Sequence, residues 1–328
     1  MNSRGWLGLG GLLLLLLAGM LVVERQPPAP LPPAAPVAWL AALQDARQPL
    51  LAIEVRRPGQ PLVRLERRAT GWVLPAKAEY PADQQRVAEL LRALTAAHQL
   101  APRSARSEDY GQLGLAVQGA VAEQGIQLRL EREGGAPLLL LIGKTEQGGQ
   151  LVRRADEAQS WLIDQLIELP ANELQWLDRR VTAIPFAAVR ELTLQHADGE
   201  RLSLFRATPE QTHLQLRELP AGRRLLAEGA GDDSARLFAD LQFNEVAPLA
   251  QIAFKGHAAL RFRLEDFTGK TLQGALYLQA QQPWLVLESG SGLAAEQLPG
   301  PPGWAYLLDE QSYRQLAKKL TDMLAQKT

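Results

Sequence analysis

The chain has 328 residues, with Lys+Arg 35 against Asp+Glu 36, no cysteine, 46% hydrophobic and 6% aromatic content. Its length accommodates two ordinary domains, and its near-neutral charge argues against a nucleic-acid binder that works by displacing counterions. The missing cysteine excludes a disulfide framework, thiolate zinc and iron–sulfur centres, a cysteine nucleophile and the acylated cysteine of a lipoprotein.

Gly5 to Val23 reads GWLGLGGLLLLLLAGMLVV, an uncharged run that as a helix crosses a hydrocarbon core of roughly 30 Å. It is longer than the apolar region of a removed signal and no A-x-A-like site follows, so residues 5–23 are expected to be an uncleaved transmembrane anchor. Arg4 on the short flank puts the N-terminus in the cytoplasm and the bulk of the chain outside it. Residues 24–48 follow as a linker. Within it QPPAPLPPAAP, ending at Pro36, is a polyproline-type spacer, and VAWLAAL from Val37 is expected to form a short apolar helix at the domain base or the bilayer surface.

The remainder suggests an α+β architecture used twice, residues 49–184 and 185–328. LAIEVRR, LVRLERR and GWVLPA alternate with period two and read as a meander. A helix then carries Val87, Leu90, Leu91 and Leu94 on one face, with Pro81 suited to its first turn. RELTLQH, RLSLFRA and HLQLREL repeat the meander around an Asp198-Gly199 turn, and a second helix carries Leu237, Phe238 and Leu241. Leu90, Leu91 and Leu94 match Leu237, Phe238 and Leu241 at one offset, and QLAP after the first helix answers EVAP after the second. Each half continues with IQLRLER, PLLLLIG and QLVRR or with ALRFRLED, TLQGALYL and PWLVLES. Each closes on SWLID, at Asp164, or WAYLLD, at Asp309, and is expected to enter a helix there. The last helix carries Tyr313, Leu316, Leu320 and Leu324.

These residues resemble a known family, that of domain of unknown function 4340. The resemblance rests on LLAIEVRR, Gly71-Trp72-Val73-Leu74, Tyr80-Pro81-Ala82-Asp83, Asp109-Tyr110-Gly111, Leu141-Ile142-Gly143-Lys144-Thr145, Trp161-Leu162-Ile163-Asp164 and Trp176-Leu177-Asp178-Arg179-Arg180. It covers about residues 50 to 185 and departs at Gln112, which follows Gly111 where the family carries YGL and then proline. The resemblance implies a membrane-anchored bacterial envelope protein that accompanies ABC-type exporter subunits, including those related to gliding-motility transporters. None of the matched motifs is catalytic.

Candidate chemistry is sparse. Gly143-Lys144-Thr145 and Gly269-Lys270-Thr271 lack the first P-loop glycine, replaced by Leu138 and Leu264, and are expected in hairpin turns. Ser289-Gly290-Ser291-Gly292 fails the nucleophile-elbow pattern and reads as a flexible turn. His98, His196, His213 and His257 show no metal-ligand spacing, and Glu108-Asp109 and Asp232-Asp233 read as structural acids. Trp72, Trp161, Trp284 and Trp304 sit in or beside apolar strands and are read as core. No catalytic, cofactor or metal residues are therefore expected. Arg56, Arg57, Arg67 and Arg68 form a local basic cluster, a candidate contact with anionic head groups or an acidic partner near the membrane. The expected function is a non-enzymatic accessory or scaffold subunit of an ABC-type export complex, with permease, ATPase or associated exported domains and the inner membrane as partners. The alternative is a periplasmic binding module for envelope glycan or lipid.

Overall fold

The structure is a computed structural model that describes residues 36–40, 43 and 49–325. The expected anchor at 5–23 and most of the linker lie outside the described residues. Among those described, no helix is long and apolar enough to cross a membrane.

The fold mixes α and β, with mostly antiparallel sheets. The strands of the first sheet are β1 (Val37–Ala38), β2 (Leu50–Arg56), β3 (Val63–Arg68), β4 (Gly71–Leu74), β5 (Tyr80–Pro81), β6 (His98–Pro102), β7 (Ile126–Arg132), β8 (Leu138–Glu146), β9 (Gly149–Arg154) and β10 (Ser160–Ile163), in the order β1-β6-β10-β9-β8-β7-β2-β3-β4-β5. A two-stranded sheet pairs β11 (Arg180–Thr182) with β15 (Leu241–Gln242). The third sheet contains β12 (Val189–His196), β13 (Arg201–Phe205), β14 (Gln215–Leu216), β16 (Glu245–Pro248), β17 (Leu260–Asp266), β18 (Thr271–Gln279), β19 (Gln282–Ser291) and β20 (Trp304–Leu307), in the order β14-β13-β12-β17-β18-β19-β20-β16.

Alternation decides which face each strand buries. Ile53, Val55, Leu65, Leu128 and Leu130 point inward with Val87, Leu90 and Leu94 of helix α1 (Gln84–Ala96), while Leu91 is partly buried beside them. In the second half Leu192, Leu194, Leu204 and Leu264 bury with Phe238 and with Leu316 of α4 (Glu310–Leu316). These residues belong to one apolar cluster that runs through both halves. The outer face of β8, β9 and β10 is covered as well: Leu141, Leu151 and Leu162 bury with Leu115 beneath α2 (Tyr110–Leu113). On the outer face of β18, Phe254 stacks on Tyr277 with ring centroids 4.4 Å apart.

Several expected elements differ. Val37 and Ala38 form a strand rather than a helix, and Trp39 and Leu40 are buried at the domain base. Pro81 lies in β5, and α1 begins later with Asp83 as its cap, accepting from the Arg86 N–H at 3.0 Å. The second helix is short, α3 (Asp232–Arg236) running into a 3-10 turn at Leu237–Ala239. No helix follows Asp164 directly; the next helical turn is the 3-10 segment Glu173–Trp176. The final helix breaks between α4 and α5 (Leu320–Met323), so Leu324 instead bridges to Leu225. Gly143, Lys144 and Thr145 lie within β8, where a Cβ on Gly143 would fall 2.6 Å from the Leu113 carbonyl oxygen. That close approach requires the glycine. Ser289, Gly290 and Ser291 likewise lie in β19, whereas Gly269 and Lys270 of the second Gly-Lys-Thr triplet lie in the turn between β17 and β18, Gly269 at φ +81°, and Thr271 opens β18.

Candidate functional site

Two of the segments that carry the family resemblance, Tyr80–Asp83 and Trp176–Arg180, meet where the two halves join. Tyr80 is 1% exposed and makes edge contacts with Trp304 of β20, centroids 4.9 Å apart, and with Phe243, 5.3 Å apart. Burial raises the Tyr80 and Tyr306 hydroxyls above the ordinary phenol range, and the two hydroxyls influence each other. Tyr306 also donates to the Pro301 carbonyl at 2.6 Å. The Asp83 N–H donates to the Trp176 carbonyl at 2.8 Å, and Ala82 bridges to Leu177.

Side chains in and beside the motifs are held by the fold. Gln84 accepts from the Trp72 N–H and donates to the Trp72 carbonyl, each at 2.8 Å. Gly71, at φ +122°, leaves room for that amide: a Cβ there would lie 2.6 Å from Gln84 Oε1. Arg179 donates across the joint to the Phe243 carbonyl and Asn244 Oδ1, both at 2.7 Å. Lys77 reaches Glu245 at 2.8 Å. Burial pushes the Asp178 carboxyl up, but its bonds and ion pair with Arg180, 2.7 Å at the closest, leave it below the usual carboxylate range. A concavity of about 350 Å³ at this joint is lined by Tyr80, Asp83, Gln85, Asp178, Arg180 and Pro299. Asp83 and Asp178 there already hold a helix cap and an arginine, so its visible chemistry is that of a clamp between the halves.

The four expected basic residues separate. Arg57 donates to the carbonyls of Leu169 and Pro170, and burial lowers its pKa. Arg68 pairs with Glu79 at 2.7 Å and with Glu66 at 2.5 Å. Arg56 and Arg67 are exposed at opposite ends of β2 and β3 and make no ion pair among the described residues. Strand β3 is seven strand positions from β1, about 34 Å at roughly 4.8 Å per strand. Between them the outer face of β3, β2 and β7 carries a ladder in which Arg64 contacts Glu54, Glu66 and Glu131.

The histidines stay apart. His98 Nδ1 lies 3.1 Å from Asp164, His196 Nε2 lies 3.1 Å from the Lys318 carbonyl, and His257 is exposed. His213 Nδ1 lies 2.8 Å from buried Asp232, whose other oxygen accepts the Leu214 N–H at 2.8 Å. Asp233 pairs with Lys318 at 3.2 Å, and Asp109 is held low by Ser104 and then Arg106. Among the described residues, no group of three or more His, Asp or Glu converges in a way that could hold a metal ion. Trp72 is buried, while Trp161, Trp284 and Trp304 are partly buried in their strands. Sequence reasoning quoted Tyr80 and Trp176 as motif residues but gave no sign of the joint they build, because contacts with Phe243 and Trp304 cross more than a hundred residues of chain. The alternating pattern there marks burial without naming the partner.

A family model described as "Domain of unknown function (DUF4340)" matches residues 72–261, more than half of the chain. No curated protein and no solved structure matches.

Proposed function

We propose that this chain, which belongs to the family described as a domain of unknown function (DUF4340), is a membrane-anchored accessory or scaffold subunit of an ABC-type export complex. In this reading residues 5–23 anchor it in the bacterial inner membrane, 24–48 form the spacer, and modules 49–184 and 185–328 stand in the periplasm and act by protein–protein recognition. The uncharged run at Gly5–Val23 and the proline-rich stretch after it support the anchor and spacer. The resemblance of the motif segments supplies the exporter context.

The two modules are proposed to be copies of one unit. Supporting this, β4-β3-β2-β7-β8-β9-β10-β6 in the first sheet and β14-β13-β12-β17-β18-β19-β20-β16 in the third correspond element for element in chain order. A helix follows the third strand in both, and the segments ahead of β7 and β17 carry Leu115 and Phe254 over the outer faces.

The observation that carries the recognition role is where the polar groups stand. The motif carboxylates and guanidinium and the neighbouring Gln84 amide at the joint are engaged with the fold, while β3, β2 and β7 present a broad charged face. Such a surface suits a flat partner better than a small substrate. Affinity purification of the full chain at native expression in mild detergent is expected to recover permease and ATPase subunits. Recovery of the chain alone overturns the proposal.

A further inference from the structure

The correspondence of the two modules, on which this inference rests, throws one difference into relief. In the first module the edge of β4 is covered by β5, with Val73 opposite Pro81 and Leu74 opposite Tyr80. The carbonyls of Trp72 and Leu74 accept N–H bonds from Ala82 at 2.9 Å and Glu79 at 3.0 Å, and Leu74 is fully buried. In the second module β14 takes the place of β4, with Leu216 opposite Leu204 and Gln215 opposite Phe205, and it is the outermost strand of its sheet.

One part of this edge is closed: Asp232 accepts the Leu214 N–H, as Gln84 accepts that of Trp72. The next part is open. The Arg217 N–H donates to the Ser203 carbonyl at 2.9 Å, so strand alternation turns the Leu216 amide and carbonyl outward, where no strand among the described residues meets them. Leu216 is only partly buried and, with Leu219, Pro220 and Leu320, lines a groove of about 460 Å³. Two arginines border it. Arg217 is held by Glu191 at 2.6 Å and lies over the Phe205 ring, whereas Arg201 is exposed and makes no ion pair among the described residues.

We propose that the β14 edge is a docking site for an extended segment of a partner protein, which adds as a strand beside Leu216. A bulky apolar side chain of that segment enters the groove and an acidic one faces Arg201. The chain carries a template for this pairing, since β5 sets Tyr80 beside Leu74 and the adjacent Glu79 on Arg68 at 2.7 Å. Main-chain bonds supply the affinity of such an addition, and the flanking side chains its selectivity.

The test screens displayed ten-residue peptides against the full chain in detergent micelles. Peptides with an acidic residue beside a bulky apolar one are expected to enrich, and a bound peptide to slow hydrogen exchange at the Leu216 amide at least tenfold. Leu216→Pro removes the outward N–H while leaving the Arg217 bond to β13, and is expected to weaken the best peptide about fivefold or more. Arg201→Glu, a surface change, is expected to turn the selection toward basic peptides. Absence of enrichment, binding indifferent to both substitutions, or slowed exchange elsewhere but not at Leu216 overturns the proposal. So does protection of Leu216 by phosphatidylglycerol vesicles but by no peptide. Co-purification of transporter subunits is read separately, so the export role and this docking site fail independently.

Discussion

Tyr80 offers the sharpest perturbation of the joint between the two halves of the chain. Its ring is 1% exposed and meets Trp304 and Phe243 edge-on, at 4.9 and 5.3 Å. Truncating a buried aromatic to alanine costs about 3–5 kcal/mol, the range reflecting how far the site collapses into the cavity. Here the walls belong to two sheets, each fixed by its own hydrogen-bond ladder, so Tyr80→Ala is expected near the middle, about 4 kcal/mol. Tyr80→Phe keeps the ring and removes only the hydroxyl; because Tyr306 still donates to Pro301, the expected loss is about 1 kcal/mol. Urea unfolding of the full chain in detergent, followed by tryptophan fluorescence, measures both. One transition is expected for the wild type, since one apolar cluster runs through both halves, and two for Tyr80→Ala. A Tyr80→Ala loss below about 1 kcal/mol, or equal losses for both variants, refutes the argument that the ring couples the sheets.

Gly143→Ala sets a methyl 2.6 Å from the Leu113 carbonyl oxygen and 2.8 Å from Leu115 Cδ2. It should lower stability by about 1–3 kcal/mol, read as a shifted urea midpoint, and an unchanged midpoint contradicts the close approach. Arg206 is 3% exposed, donates to the Val189 and Gln211 carbonyls at 3.1 Å and to that of Phe186, and lies over the Phe186 ring. Arg206→Met is expected to cost about 3 kcal/mol in the same assay, with Arg206→Lys recovering only part because it lacks the planar fork. Asp178 has a folded pKa below its unfolded one, so its contribution is present in full above roughly pH 4 and is lost as pH falls through the folded value. The stability gap between wild type and Asp178→Asn should therefore close in urea titrations taken from pH 7 downward. A gap that persists at the lowest pH argues against the pairing with Arg180.

Local periodicity was legible wherever a strand buries one face. LAIEVRR, IQLRLER and ALRFRLED became β2, β7 and β17 because inward Leu, Ile, Val and Phe alternate with outward charge. Two of the shortest elements were not legible, since β5 and β15 have two residues each and a period needs more, whereas HLQLREL was read as a strand and keeps only the two residues of β14. The Gly-Lys-Thr triplet of the first half looked like a turn because glycine usually marks one. In β8 the glycine instead admits the α2 backbone, a reason that depends on a segment thirty residues away. The last helix failed for a similar cause. Leu320 and Leu324 kept the helical spacing, but the Lys319 N–H is taken by Asp322 at 2.9 Å, which caps a new helix instead of continuing the old one. As for the candidate contacts, Arg56 and Arg67 are exposed and make no ion pair among the described residues, but the sequence carried no sign that Arg57 ties down Leu169 and Pro170.

Strand β1 has a mechanical consequence. It holds β6 through only the pairs Val37–Gln99 and Ala38–His98, yet it is directly followed by Trp39 and Leu40, 4% and 3% exposed. A pull on the chain from the N-terminal side would first unzip a two-rung ladder, which offers little resistance one bond at a time. It would then meet the buried Trp39 ring and the bond from the Trp39 backbone N–H to the Ala97 carbonyl at 2.8 Å. Tension arriving through the preceding residues is thus borne by a plug, and the sheet behind it keeps its register until that plug is drawn.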